Sequence, residues 1–394
     1  MDEPHENFFA DNVFRYVNAP CDVRINIEDV AVDQPSRKLL KMQAKATDHC
    51  NFAFTSENGL IRCGPEGALL ESDIVGKLIA LPNSKDKEII RFFSQNGFLF
   101  PIGDDKLTTI DVDVLWNIVN RIKALVLLMS AMGGKKNYKD ILHYTVYLLY
   151  SGPVQLQINE QVVYQTLSHP FYSYMQNAFN ISEIDRSQQG FNEEAYTIPD
   201  TLYPPYYQYD IQTYLESLEG SYESKEGSLS RAYRALVMLY VNAHAENAPR
   251  KTIDLLLHYQ EKVGIFKNIS IDGIEYYSDP HIENFTSDMK KRLVEIAREV
   301  ISTEINYNIH GIYPYYDPNT MRPAWIIDNL LQAVYFSLFF NNPEVEIYRK
   351  CANPNCRGAK YFRVKTTMQK KKYCCPECAN ADAQRRYRLK KLRQ

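Results

Sequence analysis

The chain has 394 residues, 45% of them hydrophobic and 24% charged, a balance that buries an ordinary core and a length that suits two or three domains. Its best apolar run, residues 124–132, is far shorter than the roughly 20 residues that cross a bilayer, so no membrane partner is expected. The acidic start, Met1-Asp2-Glu3-Pro4-His5-Glu6, has neither the basic nor the apolar part of a secretory leader, and a cytoplasmic location with reduced thiols is expected. The net charge of −3 conceals a divide. Residues 349–394 carry 15 Lys and Arg against Glu377 and Asp382, a net of +13, which leaves −16 on residues 1–348. A basic end on an acidic body seeks an anion, either nucleic acid or the body itself.

In chain order, residues 14–17 and 23–27 alternate like short strands, and 52–54 pairs with 60–62 across Glu57-Asn58-Gly59. Residues 85–94 read as a helix closed by Asn96-Gly97. The strongest helical pattern is 111–132, where Leu115, Ile118, Ile122, Leu125 and Met129 recur at helical spacing before Gly133-Gly134. Residues 138–150 form a further helix, 154–158 a strand, and 160–178 a helix interrupted at Pro170. The polar, then Tyr/Pro-rich stretch 187–210 reads as a linker or surface loop. Helices resume at 228–245 and 250–264, and 269–277 turns as a hairpin around Asp272-Gly273. Ser287 caps a helix to about residue 303, and 307–316 is a second Tyr/Pro-rich stretch. Pro323 opens a last helix to residue 340, with Ile327, Leu330, Leu331, Val334 and Leu338 on its apolar face.

These elements predict a mainly α fold with some β: a large helical body and a small C-terminal treble-clef zinc module. The expected divisions are a mixed α/β part over 1–190, a helical part over 211–345, and the module over 349–394.

Five of the eight cysteines lie between 351 and 378. The spacing is Cys351-x4-Cys356, then Cys374-x3-Cys378, with Cys375 adjacent. Two pairs of close thiols joined by a short hairpin assemble a tetrahedral Zn²⁺ site. Gly358 suits a tight knuckle, 361–364 and 370–373 read as the two strands, and Pro376 opens a helix that places Cys378 in its first turn. Cys374 gives the more usual register and is preferred over Cys375 as third ligand. Four thiolates close the shell, so the Zn²⁺ is read as structural. The helix that follows carries Arg385, Arg386, Arg388, Lys390, Lys391 and Arg393, and Lys370, Lys371 and Lys372 add a second basic cluster. Both are candidates for phosphate contacts.

Cys351-Ala352-Asn353-Pro354-Asn355-Cys356, the aromatic Tyr361-Phe362, Tyr373-Cys374, Cys378 and the terminal basic helix together resemble the CGNR-type zinc finger of bacterial proteins. The resemblance spans about residues 327–394. It implies a C-terminal, DNA-binding finger in a transcription regulator; in that reading the acidic body senses a ligand or mediates assembly. The name motif reads Cys378-Ala379-Asn380-Ala381 here, keeping the Cys and Asn and lacking the arginine. The alternative is an adaptor whose basic finger docks on an acidic protein surface.

Signatures of catalysis are sparse, and no catalytic residue is assigned. His281-Ile282-Glu283 matches the first half of a zinc deaminase, but Cys374-Cys375-Pro376-Glu377-Cys378 fails the P-C-x-x-C half. The chain has no G-x-S-x-G, P-loop or H-E-x-x-H run. His143, His244 and His258 fall on predicted helices beside apolar residues and read as packed or surface histidines.

Overall fold

The computed structural model describes residues 13–28, 37–45, 48–158, 160–184, 249–319, 321–356, 360–368 and 370–391, with six further residues between 232 and 240. The linker expected at 187–210 and most of the helix expected at 228–245 lie outside the described residues, as do Gly358, His244 and Arg393.

The first stretch is β1 (Phe14–Asn18), β2 (Cys21–Glu28), β3 (Arg37–Ala44), β4 (Cys50–Thr55), β5 (Gly59–Cys63) and β6 (Leu69–Glu71). It continues with α1 (Ile74–Leu78), α2 (Asp86–Asn96), β7 (Thr108–Asp111), α3 (Val112–Met132), α4 (Tyr138–Tyr150), β8 (Gln155–Ile158), β9 (Gln161–Gln165) and α5 (Pro170–Ile184). Then come α6 (Arg250–Lys262), β10 (Phe266–Ser270), β11 (Gly273–Tyr276), α7 (Ser287–Asn308), β12 (Tyr313–Asp317), β13 (Arg322–Ile326) and α8 (Leu330–Phe339). The chain closes with β14 (Glu346–Lys350), β15 (Tyr361–Lys365) and α9 (Pro376–Lys391).

This overturns the expected large helical body. Among the described residues the protein is 44% helical and 26% strand, with nine helices and six small antiparallel sheets, and its C-terminal part is only partly helical. The shortfall has local causes. Residues 161–165 pair with 155–158 as a hairpin rather than starting a helix, because Val162, Val163 and Tyr164 favour extended backbone. Pro170 then opens α5 as its first residue. Pro323 opens no helix either: it lies opposite Tyr316 in the β12–β13 ladder. The helix starts at Leu330, where the Asn329 side chain accepts from the Gln332 N–H at 2.8 Å.

Two compact units emerge from the contacts. The first comprises Met1–Lys136, Val154–Thr166 and Ser302–Gln394, the second Asn137–Pro153 and Leu167–Ile301.

In the first unit one sheet runs β1-β4-β5-β6 and another β2-β3-β7. Alternation along β1 buries Phe14 and Tyr16 while Arg15 and Val17 face out. Phe14 stacks on Phe54 with centroids 5.4 Å apart and meets Phe336 of α8 at 5.0 Å. Helix α3 is the unit's central rod. Its 21 residues are long and apolar enough to cross a membrane by length and composition, yet 67% of its most apolar window is buried inside the protein. It also carries Arg121, whose Nη2 lies 2.6 Å from the Glu304 carboxylate, both side chains fully enclosed. Pairing of this kind makes such burial tolerable.

The second unit buries Leu255, Leu256, Leu257 and Tyr259 of α6 with Met289 and Leu293 of α7. Tyr259 meets Phe285 edge-on at 5.2 Å. His258 is fully buried and hydrogen-bonds Asp254 one helical turn back at 3.1 Å, and His143 contacts the Ser270 carbonyl at 2.7 Å. Both are packed histidines, in keeping with their apolar sequence neighbours.

Candidate metal centre

The site is built at one end of the β14–β15 hairpin. The two strands pair antiparallel from Glu346↔Lys365 to Lys350↔Tyr361. Cys351 follows β14 directly, and its N–H donates to the Lys360 carbonyl at 2.8 Å, closing the ladder. The chain then makes a knuckle. Asn353 is buried; its side-chain oxygen accepts from the Asn355 N–H at 3.1 Å, and its carbonyl accepts from the Cys356 N–H at 3.1 Å. The knuckle therefore joins the two strands. Residues 370–373, expected as the second strand, instead form a turn and irregular chain, and the strand that pairs with β15 is β14. The turn is held to the knuckle by Ala352 N–H donating to the Lys372 carbonyl at 2.9 Å. Pro376 begins α9, and Cys378 lies in its first turn, buried.

These elements bring Cys351, Cys356, Cys374 and Cys378 together, with all four sulfurs within 4.8 Å of one another. Cys356 to Cys374 is 3.6 Å, Cys374 to Cys378 is 3.5 Å, and Cys378 to Cys356 is 3.5 Å. A tetrahedral Zn²⁺ with Zn–S of about 2.3 Å sets its sulfurs about 3.8 Å apart. The cluster has the right size to hold a metal ion. Cys375 stands beside it, its sulfur 3.7 Å from that of Cys374. Phe362 and Val364 of β15 pack with Cys351 and Cys378 as a small buried cluster.

Four thiols at this spacing cannot all ionise without a cation between them. Burial first, and then hydrogen bonding among the thiols, push Cys374 far above its ordinary range. Cys378 is affected oppositely: burial raises it, but bonds from Cys356, Cys374 and Asn353 outweigh that and bring it to about 7. Its place in the first turn of α9 adds the positive end of the helix dipole. A metal among the four sulfurs would supply the positive charge that lets the thiols ionise together. A shell of four sulfurs leaves no open position for substrate.

The basic residues named from the sequence fall into two settings. Lys370, Lys371 and Lys372 are exposed on the turn after β15; the Lys371 carbonyl accepts from Arg349 Nη1 at 2.9 Å, and Lys371 Nζ lies 5.7 Å from the Phe362 ring centroid. Arg385 and Arg386 converge on Asp382. Beyond them, Tyr387, Arg388, Leu389, Lys390 and Lys391 are exposed at every position, so the last turns of α9 bury none of their sides.

Sequence reasoning missed two features. One is the docking of the hairpin within its unit. Arg363 of β15 pairs with Glu346 and donates to the carbonyls of Ser56 and Glu57, each at 3.3 Å. Lys360 Nζ reaches Ser84 Oγ at 3.1 Å. No local pattern announces partners some 300 residues away. The other is Asp382, which the spacing could have revealed: it lies three and four residues before the two arginines, on the same helix face.

No described protein family, no curated protein and no solved structure matches this chain.

Proposed function

We propose that the four thiols hold a structural Zn²⁺ and that the centre presents α9 as a basic helix to nucleic acid, in a regulator of the kind the CGNR-type resemblance implies. The observation that carries this reading is the exposed end of α9. A helix that is polar and solvated on all sides is marginal alone. Here it grows from a metal-anchored turn and lifts Arg388, Lys390 and Lys391 clear of the protein, with Lys370–Lys372 on the neighbouring turn. Such a stripe neutralises phosphates, and the metal fixes its direction. All eight cysteines are free thiols, which suits a reducing compartment such as the cytoplasm.

A second reading draws on Tyr387 and Leu389, which are 64% and 46% exposed. Exposed apolar groups among basic ones also suit an acidic protein partner.

Binding of the full chain to duplex DNA and to RNA across a salt series separates the two. The nucleic-acid reading expects log affinity to fall with log salt by about 0.9 per phosphate contact on duplex DNA. It also expects the slope to flatten when Arg388, Lys390 and Lys391 are changed to alanine. Absence of binding to either nucleic acid at low salt would leave the protein-docking reading in its place.

A further inference from the structure

Asp382 is the unusual residue of α9. It is 4% exposed on a helix that is otherwise largely solvated, and it receives three side chains at once. Arg385 donates to Oδ1 through Nε at 3.1 Å and Nη2 at 2.8 Å. Arg386 brings Nε to 3.1 Å from Oδ2. The Tyr373 hydroxyl donates to Oδ2 at 2.9 Å, and Arg386 Nη2 donates to that same hydroxyl at 3.4 Å. Tyr373 is joined directly to Cys374. A short path therefore runs from the sulfur cluster through Tyr373 and Asp382 to both guanidinium groups.

The arrangement has two consequences. One carboxylate faces two cations, so a unit of positive charge stays uncompensated. Each guanidinium has five N–H donors in a rigid fork. Only part of each fork is used on Asp382 and Tyr373, and the side chains of Arg385 and Arg386 remain 41% and 63% exposed. The remaining donors face solvent with the rotamers already chosen. A phosphate oxygen that met them would not have to order two long side chains first, which is where much binding energy is otherwise lost.

We propose that Asp382, braced by Tyr373, is a positioning residue that holds Arg385 and Arg386 as one preorganised fork for a phosphate group of nucleic acid. The proposal rests on the nucleic-acid reading of the module. The hydrogen bonds from Arg385 and Tyr373 also keep the Asp382 carboxyl below its ordinary pKa, so the clamp stays charged at neutral pH.

The sign of one substitution separates positioning from mere neutralisation. If Asp382 only offsets the arginines, removing its negative charge strengthens phosphate binding. If it positions them, its removal weakens binding although the module becomes more basic. The experiment titrates a labelled DNA duplex with the full, metal-loaded chain and with Asp382→Ala, Asp382→Asn and Tyr373→Phe, each checked for metal content and helical circular dichroism. Asp382→Ala and Asp382→Asn are expected to bind about three- to tenfold more weakly, with a flatter salt slope. They should add no further loss to an Arg385→Ala/Arg386→Ala chain, because the fork is already gone. Tyr373→Phe should fall between them and the unchanged protein. Should Asp382→Ala lose metal, Asp382→Asn and Tyr373→Phe decide the matter on their own. Binding as tight as or tighter than that of the unchanged chain overturns the proposal, and so does a loss fully additive with the arginine changes. An unchanged chain that binds no duplex removes the nucleic-acid reading and the fork together; one that binds while the Asp382 variants bind equally well removes the fork alone.

Discussion

The Tyr348 backbone N–H donates to Ser130 Oγ at 2.9 Å, tying the first strand of the cysteine-bearing hairpin to the last turn of α3. The hairpin is thereby part of the core of its unit rather than an appendage, and a metal held by its cysteines would contribute to that core. Ligation energies in zinc-finger peptides, on the order of 10 kcal/mol, are comparable with the whole stability of a domain. Both tryptophans, Trp116 on α3 and Trp325 on β13, belong to the same unit. Removing the metal with a chelator is therefore expected to lower the thermal midpoint followed by tryptophan fluorescence by about 20 °C or more. An unchanged tryptophan transition would show the hairpin to be energetically separate from the core.

Cys375 and Cys378 should behave differently although they lie only three positions apart. Cys378 lies inside the sulfur cluster, and Cys375 does not. Cys378→Ser is expected to abolish stoichiometric metal binding, while Cys375→Ser retains one ion per chain. Mass spectrometry under native conditions reads both. Loss of metal from Cys375→Ser would transfer the ligand role to it.

Gly76 of α1 marks a close approach of the β15 backbone. A Cβ there would lie 2.7 Å from the Tyr361 carbonyl oxygen and 2.5 Å from Asp73 Oδ2. The carbonyl is backbone and cannot rotate away, so Gly76→Ala should destabilise the unit by about 1–3 kcal/mol in urea unfolding. Gly273→Ala, where a Cβ meets nothing within 4 Å, is the matched control and should stay within about 0.5 kcal/mol. Equal effects would contradict the docking described for the hairpin.

Asp73 caps α1 from a left-handed backbone, φ 55°, and accepts from the Gly76 N–H at 3.0 Å. Burial raises its carboxyl above the ordinary value of 3.8, outweighing the Gly76 and Tyr348 hydrogen bonds and the nearby Arg363 and Lys77 charges that lower it. A raised acid binds its proton more tightly in the folded state, so its contribution is fully present below the unfolded value and is lost as pH rises through the folded one. Asparagine tolerates the left-handed backbone and keeps the capping oxygen. The stability of Asp73→Asn relative to the unchanged chain should therefore improve as pH climbs from about 3 to 7. A difference that stays flat or worsens over this range would contradict the direction of the shift.

What the sequence revealed follows from how local each signal is. The thiol spacing, Pro376 and the periodicity of α3 are read within a few residues, and each led to the element observed. Strand β3 escaped notice because Arg37–Ala44 has little alternation of its own; it is fixed by neighbours on both sides, pairing Leu39 with both Asn26 and Asp111. The strand partner of β15 was misplaced for a similar reason. Lys370–Tyr373 is nearer in sequence, but Glu346–Lys350 holds the edge. Asp382 was legible at its i,i+3 and i,i+4 spacing, whereas the Arg363 contacts with Ser56 and Glu57 bridge distances no local pattern encodes.

X-ray absorption at the zinc edge, made on the purified full chain alongside metal quantitation, tests the centre of this account most directly. One zinc per chain surrounded by four sulfurs at about 2.3 Å is the predicted result. A substoichiometric metal content, or a shell containing nitrogen or oxygen ligands, would contradict a structural centre made by Cys351, Cys356, Cys374 and Cys378.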